Sequence, residues 1–309
     1  MRSFAAKRIL LLIPTVLGVV TLVFLLRPLI PGDPIDYMLG ENALAADRAA
    51  LRTQYGLDKS IPEQYLLFLG NLIKGDLGRS IHARRPVLDM ILERYPATLL
   101  LAAAAMVVAL LVALPAGLAA AVKKDTWIDN LSMFGALLGI SLPNFWLGPL
   151  LILLFSIQLG WLPVSGLDGP LSLILPAVTL GTAMAAILTR MTRSSLLEVI
   201  REDYVTTARA KGLSERRVIL KHAFKNAVIP ILTLVGLQFG GLLAGSIITE
   251  TIFSWPGLGS LMVTAIYSRD FPLLQGAVMT ISLSYVLINL LTDLLYGLAD
   301  PRIRLGGRR

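Results

Sequence analysis

SSLLEVIREDYVTTARAKGLSERRVILKHAFKNAVIP, residues 194 to 230, is the one polar block in the second half of an otherwise apolar chain. Side chains suited to one buried helix face recur here at helical spacing, and they are Leu197, Ile200, Tyr204 and Ala208. Gly212 is a natural break after them, and Ser214 can cap a second helix over residues 215–226. The block therefore predicts two short helices that meet at Gly212.

Nine lysine or arginine residues fall between Arg190 and Lys225, and apolar segments flank the block on both sides. Because loops rich in positive charge stay in the cytoplasm, we expect this block on the cytoplasmic face of a membrane. Periodicity and charge alone also allow an amphipathic helix pair that lies on anionic lipid.

The block resembles the EAA loop of ABC importer permeases. The resemblance rests on Thr206-Thr207-Ala208, on Gly212 and on the later Ile229-Pro230. Thr206 stands where the family usually has glutamate, and the gap from Gly212 to Pro230 is long. The string DYVTTARAKGLSERR, however, is similar to the dipeptide, oligopeptide and nickel branch, in which that departure is usual.

In that family the loop forms a coupling helix that docks into a groove on a separate cytoplasmic ATPase. The resemblance implies that the ATPase is contacted by Glu202, Asp203, Tyr204, Thr206, Thr207, Ala208, Arg209, Ala210, Lys211, Gly212, Leu213, Ser214 and Arg216. It also implies a heterodimer with a second, homologous permease subunit, two ATP-binding subunits that hold ATP and magnesium, and an extracytoplasmic substrate-binding protein. The chain itself is then a transporter subunit without a cofactor or metal of its own, and not an enzyme.

Composition indicates an integral membrane protein, since 55% of the 309 residues are hydrophobic, 16% are charged and the mean hydropathy is +0.73. The formal charge of +8 is spread along the predicted loops, so it does not indicate a nucleic-acid partner. With no cysteine, the chain has no disulfide, thiolate metal site or cysteine nucleophile. Its two histidines, His82 and His222, lie in different segments and do not predict a metal site.

Apolar runs predict an all-α polytopic protein with six transmembrane helices. They cover Ile9–Leu26, Ala97–Val122, Leu131–Leu159, Leu171–Thr189, Ile231–Ile248 and Gly276–Leu298. The first run is long enough to span and lacks a small-residue cleavage site, which favours an uncleaved helix over a signal peptide. Six spans place both termini on one side, and the short outer loops carry almost no positive charge, which makes that side cytoplasmic.

Four parts are expected along the chain: an N-terminal arm with the first span (1–30), an extracytoplasmic loop (31–95), a type I transmembrane domain (96–299) and a basic cytoplasmic tail (300–309). The transmembrane domain holds spans two to six, with the coupling loop 194–228 between spans four and five. Short helices are predicted in the first loop over Ala43–Tyr55, Pro62–Ile73 and Pro86–Arg94. Three strings resemble the B-type subunit of the peptide and nickel branch: PGDP at 31–34, GLDKSIPEQY at 56–65 and GDLGRS at 75–80.

Polar residues inside the predicted spans are candidates for a translocation path, and they are Ser141, Asn144, Thr182, Gln238 and Ser246. The Ser-Leu-Pro-Asn string at 141–144 is more simply explained as a kink.

Asp293 is the acid deepest in a predicted helix, and a functional role, snorkelling or a contact with Asn289 would each explain it. The small residues of span five, 236–245, could contact another subunit or pack within the chain. Residues 250–275, with FSWPGLG at 253–259, are expected to be an outer loop with an interfacial helix.

ATP hydrolysis by this chain is excluded, because a phosphate-binding loop ends in Gly-Lys-Ser or Gly-Lys-Thr and no Gly-Lys pair occurs. There are no ionisable residues near midplane and no matched broken helices, so a stand-alone carrier or channel is the lesser alternative.

The strings TRSSLLEV, TARAKGLSERR and TETIFSWPGLG are most similar to dipeptide and glutathione permeases. Dipeptides are therefore the expected cargo, with oligopeptides, glutathione, nickel chelates and opines as alternatives on the same scaffold.

Overall fold

The structure is a computed structural model that describes residues 2–29, 44–54 and 58–299. Within these ranges the chain forms helices joined by short turns, and it contains no β-strand. The helices are α1 (Arg2–Leu29), α2 (Ala45–Gln54), α3 (Ile61–Ile73), α4 (Val87–Val122), α5 (Trp127–Ser141), α6 (Asn144–Leu151, continued as a π-helix over Ile152–Gln158), α7 (Ile174–Val199, entered through the 3-10 turn Pro170–Leu173), α8 (Asp203–Ala210), α9 (Glu215–Arg217, π-helical Val218–Ala223 and Phe224–Gly245, without a break), α10 (Ile247–Ile252), α11 (Leu258–Tyr267) and α12 (Phe271–Ala299).

Five helices, α1, α4, α7, α9 and α12, are long and apolar enough to cross a membrane. The pair α5 and α6 makes a sixth span if it is counted as one segment, although its two halves are bent by 100°. The predicted all-α architecture with up to six spans is therefore confirmed.

The centre of the bundle is the contact between α4 and α7, which run side by side in the same direction. Gly117 lies against Thr192, and a β-carbon built on Gly117 would be 2.6 Å from that of Thr192. Gly181 packs equally closely against α4, with the carbonyl oxygen of Ala105 2.8 Å from the position of its missing β-carbon. Small residues at these crossings let the two backbones approach closely, which maximises dispersion contacts where hydrophobic burial gives little.

The outer helices pack in antiparallel pairs. Gly236 and Gly240 of α9 contact Thr292 and Tyr285 of α12, so these glycines serve packing within the chain. A β-carbon on Gly241 would have nothing within 4 Å. At the other side of α12, Gln275 Nε2 donates to the Val23 carbonyl of α1 at 3.3 Å.

These directions give the bundle two ends. Arg8, Lys123 and the turn between α8 and α9 lie at one end, which we call the inner end, because α1 starts there and α4 and α7 finish there. The turn before α4 and the segment from α10 to α11 lie at the opposite, outer end.

The predicted start of span two at Ala97 is wrong, because α4 runs unbroken from Val87 through Pro96. The helix predicted over Pro86–Arg94 is the first part of this long helix. An internal proline costs about 3 kcal/mol. Here the turns on both sides of it are anchored, since Val87 and Ile91 before it and Leu101 after it are at most 1% exposed.

The third span is not one kinked helix, as was predicted for Leu131–Leu159. It breaks at Leu142 and Pro143, where Leu142 is extended with φ −87° and ψ 113°. A proline disfavours the helical conformation of the residue before it, which explains why α5 ends there and α6 leaves at a new angle.

Both ends of the polar block at 194–230 belong to the flanking long helices, which was not predicted. Its first residues continue α7 as far as Val199, and its last residues, through Pro230, lie inside α9. Side chains on both extensions are buried together, among them Leu196, Val218 and Ile219. This buried cluster, which periodicity cannot reveal, extends α7 and α9 toward the inner end beyond the predicted limits of their spans.

Other boundaries shift less. α2 and α3 agree with their predictions to within a few residues, whereas α12 starts at Phe271 instead of Gly276. The PGDP string at 31–34 and the basic tail at 300–309 lie outside the described residues.

Candidate functional site

A short helix at the inner end, α8, is the centre of the candidate site. Glu202 precedes it in an extended conformation (φ −70°, ψ 146°), and the Thr207 hydroxyl donates to the Asp203 carbonyl at 2.9 Å within it. The helix ends in a tight turn in which Gly212 N–H donates to the Arg209 carbonyl at 2.9 Å and Gly212 has φ +76°. The predicted break at Gly212 is confirmed, since this left-handed conformation favours glycine.

The inward face of α8 is apolar and packed. Val205 is fully buried and Ala208 is 6% exposed, and both contact the cluster formed by the ends of α7 and the start of α9. Ala208 is therefore a supporting residue rather than a contact residue. The packing fixes α8 against the bundle, so the helix can be pushed or pulled only together with α7 and α9.

The remaining residues predicted to contact the ATPase lie together on the outward side of α8 and its turn. Those exposed are Glu202, Asp203, Tyr204, Thr206, Thr207, Arg209, Ala210, Lys211, Gly212, Ser214 and Arg216, and Leu213 is half-buried. Acidic residues stand at the start of α8 and basic residues at its end, in the order that the helix dipole favours. The surface thus presents a negative edge, a neutral middle and a positive edge.

Two side-chain contacts cross the joint between α8 and α9, and the sequence analysis identified neither. Arg209 Nη2 lies 2.8 Å from Glu215 Oε1 and Arg209 Nε lies 3.1 Å from Glu215 Oε2. This carboxylate raises the pKa of the Arg209 guanidinium above its usual value. Asn226 Nδ2 donates to the Tyr204 hydroxyl at 2.7 Å. Together the two contacts hold the angle between the helices that Gly212 makes possible.

Of the five residues predicted for the path, Thr182 lies near Ser141, since a β-carbon on Gly139 of α5 would be 3.2 Å from the Thr182 carbonyl oxygen. Ser141 and Asn144 flank the break between α5 and α6, and the hydroxyl of Thr182 donates to the Val178 carbonyl of its own helix at 2.7 Å. Gln238 lies half-buried on α9, and its amide nitrogen is buried without a hydrogen-bond partner among the described residues. Ser246 belongs instead to a buried cluster at the outer end.

That cluster is centred on Glu250, which was predicted to begin an outer loop with an interfacial helix. Its carboxylate is fully buried. Oε1 accepts from the hydroxyls of Ser246 at 2.9 Å and Thr98 at 3.0 Å, and Oε2 accepts from the Ser260 backbone N–H at 3.0 Å. The carboxylate therefore lies at the N-terminus of α11, where the helix dipole stabilises negative charge.

The FSWPGLG string forms the wall of this cluster. A β-carbon on Gly257 would be 2.5 Å from both the Glu250 carboxyl carbon and the Thr98 hydroxyl, and one on Gly259 would be 2.8 Å from Glu250 Oε2. Trp255 is fully buried and donates through Nε1 to the Ala97 carbonyl at 2.9 Å. Residues 250–275 are thus a packed outer cap made of helices, not a loop on the surface.

Asp293, which was singled out for its depth in the last span, pairs with Arg8 of α1 at 2.8 Å. The contact joins the inner ends of α1 and α12 and gives Asp293 a structural role that was not among the three explanations offered by the sequence. Among the described residues, no group of three or more histidine or acidic side chains is placed to hold a metal ion.

Two family models match the chain. Residues 113–305 match the binding-protein-dependent transport system inner membrane component, and residues 1–102 match the N-terminal model for the membrane component of such systems.

Curated relatives match over almost the full length. The di/tripeptide transport system permease protein DppB of Pseudomonas aeruginosa (strain UCBPP-PA14) is 47% identical and covers 98% of this chain and 99% of its own. The glutathione transport system permease protein GsiC of Escherichia coli (strain K12) is also 47% identical, with the same coverage of both chains.

Solved structures share the fold at low identity. An inward-facing form of the MetNI methionine ABC transporter has a TM-score of 0.57 at 16% identity, covering 68% of this chain and 96% of that one. An amino acid ABC transporter crystallised with histidines has a TM-score of 0.51 at 18% identity, covering 69% of this chain and 94% of its own. The predicted type I transmembrane fold is therefore confirmed.

Proposed function

Because the chain belongs to the family of inner membrane components of binding-protein-dependent transport systems, we propose that it moves dipeptides and similar small peptides across the cytoplasmic membrane. It is an ABC importer permease subunit and not an enzyme. Its contribution to transport is mechanical, since it must turn the motion of other subunits into alternating access.

The observation that carries this function is the exposed side of α8 with the turn at Gly212. We assign contact with the ATPase to the exposed residues from Glu202 to Arg216, with Leu213 at their edge and Ala208 beneath them. A rigid helix of eight residues that projects from the bundle on two packed spans is suited to fill a groove on a partner. Its charged edges would set the orientation in that groove.

Only a few residues connect this surface to the membrane-spanning helices. α8 joins α7 through residues 200–202 and joins α9 through residues 211–214, and both helices cross the membrane. A displacement of α8 therefore reaches two spans without passing through a flexible linker. Two packings of the bundle that differ by a few kcal/mol are enough for alternating access if ATP and the substrate-binding protein favour different ones.

The partners in this proposal are a second, homologous permease subunit, two ATP-binding subunits that hold ATP and magnesium, and an extracytoplasmic binding protein. The inner end then faces the cytoplasm together with both termini. Residues 31–95 and 250–275 are proposed to supply the outer surface on which the binding protein docks, although α4 begins at Val87 and so crosses the expected boundary of the transmembrane domain at residue 96. Of the path candidates, Ser141, Asn144, Thr182 and Gln238 remain proposed path residues, whereas the bonding of Ser246 favours a structural role.

Glutathione is the second candidate cargo, because the glutathione permease relative is as similar to this chain as the dipeptide permease relative. Both cargoes are short peptides with charged termini. The test is uptake of labelled dipeptides, tripeptides, glutathione and nickel chelate by a deletion strain with and without this chain. Uptake of small peptides that depends on the chain is expected, and uptake of the nickel chelate alone would contradict the proposal.

A further inference from the structure

The outer helix α3 has two apolar faces, and only one of them is covered by the rest of the chain. On the covered face, Tyr65 and Phe68 contact Phe24 of α1 with ring centroids 5.2 and 5.6 Å apart. The Tyr65 hydroxyl also forms a 2.6 Å hydrogen bond with the hydroxyl of Thr21. This face therefore fixes the position of α3 along the first span.

That position lies within the apolar part of the bundle, not beyond its end. Thr21 and Phe24 both fall inside the apolar window Arg8–Leu25 of α1, and Thr21 is about 6 Å from the end of that window at 1.5 Å per residue. The cluster beneath α3 also includes Met279, which is two turns inside α12. Both spans thus place α3 beside their apolar stretches, inside the outer ends of α1 and α12.

The second face of α3 is apolar and exposed. Leu66 is 67% exposed and Ile73 is 87% exposed, and they lie seven residues apart on the same side of the helix. An open groove of about 360 Å³ lies beside Leu66, and the residues that line it are Lys59, Glu63, Leu66, Leu67, Gly70, Asn71 and Lys74. The neighbouring outward surface of α1 is apolar as well, since Leu22 is 67% exposed.

We propose that α3 is an interfacial helix in the outer leaflet, with Leu66 and Ile73 among the acyl chains and Lys59 and Lys74 at the lipid phosphates. Interfacial helices bury their apolar face about 5–10 Å into the boundary between headgroups and acyl chains, and the contact of α3 with the apolar part of α1 is compatible with that range. The exposed stripe continues the lipid-facing surface of α1. Lysines at both ends of such a stripe can extend their ammonium groups to the phosphate level.

Both ends of α3 are capped within the chain. At its start, the Ser60 backbone N–H and hydroxyl both donate to Glu63 Oε2, at 3.0 and 2.8 Å. These bonds lower the pKa of Glu63 below its usual value. At its end, the Lys74 N–H donates to the Asn71 carbonyl at 3.0 Å. The inference depends on membrane insertion and not on the identity of the cargo.

Because the chain contains no cysteine, single nitroxide labels can test the proposal in the assembled transporter. Cysteines are placed at Leu66, at Ile73 and, as an aqueous control, at Ala83, which is exposed in the turn before α4. The complex is reconstituted with cysteine-free partners in nanodiscs of phosphatidylethanolamine and phosphatidylglycerol. We then measure how often each nitroxide label collides with oxygen, which concentrates in lipid, and with a nickel chelate, which stays in water.

For labels at Leu66 and Ile73 we expect the ratio of oxygen to nickel collisions to exceed that at Ala83 at least severalfold. Labels at Lys59 and Lys74 should give intermediate ratios. Nickel access at Leu66 and Ile73 equal to that at Ala83 would mean a hydrated surface and would overturn the proposal. Low access to both reagents together with an immobilised spectrum would mean that a protein covers this face, which would overturn it as well.

Discussion

Arg193 on α7 forms an ion pair with Asp129 at the start of α5 through two parallel hydrogen bonds, Nε to Oδ1 at 2.6 Å and Nη2 to Oδ2 at 2.7 Å. The Asp129 side chain is only 3% exposed and also accepts the Asp125 backbone N–H at 3.0 Å. This pair joins two helices at the inner end, one of which leads directly to α8. It fastens the third span to the element that receives the proposed ATPase motion.

Removing the arginine should destabilise the inner end strongly, because it leaves a buried carboxylate without its counter-charge. The loss of one partner from a buried pair costs about 3–5 kcal/mol. Arg193→Ala should therefore lower the melting temperature of the purified complex, and Arg193→Lys should lower it less, because lysine keeps the charge but not the two-point geometry.

Arg190→Ala is the matched control for Arg193→Ala, since Arg190 is exposed one turn earlier on the same helix. It should leave the melting temperature almost unchanged. Equal melting temperatures for Arg193→Ala and wild type would show that the pair contributes nothing to stability.

Substitution of Gly212 tests the joint of the docking surface. A β-carbon there would meet nothing within 4 Å, so the cost of Gly212→Val comes from the left-handed backbone alone, about 1–2 kcal/mol. That is about fivefold to thirtyfold in a docking equilibrium. The variant should be inserted normally, retain less ATPase on co-purification and lose most uptake.

Gly212→Asn is the control for Gly212→Val, because asparagine tolerates the left-handed conformation better than other side chains. It should keep most ATPase binding and uptake. If Gly212→Val retains normal ATPase recovery and uptake, the assignment of α8 as the coupling element is wrong, and a helix lying on lipid becomes the better explanation.

Charge reversal at the joint distinguishes the contact of Arg209 with Glu215 inside the chain from its proposed contact with the ATPase. Arg209→Glu breaks the pair with Glu215 and removes a positive charge from the surface, whereas Arg209→Glu combined with Glu215→Arg restores the pair with reversed polarity. If Arg209 acts only within the chain, the double variant should recover full uptake.

If the positive edge contacts the ATPase, as we propose, the double variant should remain impaired, and Arg216→Glu should be impaired too. The difference in ATPase binding between these variants and the wild type should shrink as ionic strength rises, because salt screens the charge contacts that the variants alter. The measurement is co-purification of the ATPase at low and high salt.

Gly257→Ala tests the buried carboxylate cluster. The added methyl group would be 2.5 Å from the Glu250 carboxyl carbon, and the surrounding atoms are held by hydrogen bonds. Such overpacking costs about 1–3 kcal/mol, so the yield of folded complex and its melting temperature should both fall. Gly135→Ala is the control, because a β-carbon there has nothing within 4 Å. An equal fall in melting temperature for Gly135→Ala and Gly257→Ala would contradict the packing explanation.

Orientation can be tested with single cysteines and a membrane-impermeant thiol reagent. Asp58 and Ala83 are exposed at the outer end, and Lys211 is exposed at the inner end. In cells with a permeabilised outer membrane, cysteines at Asp58 and Ala83 should be labelled, and cysteine at Lys211 should react only after the cytoplasmic membrane is opened. The reverse pattern would invert the proposed topology.

Local rules predicted the features that depend on one residue or on one apolar run. The turn at Gly212 follows from the freedom of glycine, and the spans follow from apolar length. The prolines were misjudged in both directions: Pro96 and Pro230 do not end helices, because buried residues on either side hold them, whereas Pro143 ends one completely. Sequence position does not show which prolines have that support.

The buried polar contacts could not be predicted, because their partners are distant in the sequence. Thr98 and Glu250 are separated by 152 positions, and Arg193 and Asp129 by 64. Glu250 looked like the first residue of an outer loop, and its burial depends on how α4, α10 and α11 meet. The glycines at 257 and 259 were the available signal, since two close glycines beside an acid indicate a crowded carboxylate.

The glycine contacts between α4 and α7 determine which helices move together. At Gly117 and Gly181 the two backbones approach too closely for a β-carbon, so a slide of α7 along α4 by one residue, about 1.5 Å, would bring bulkier residues into these crossings. We therefore expect α4 to follow α7 as one rigid unit whenever α8 is displaced, which would carry the motion of the ATPase into a span that α8 itself does not touch in the sequence.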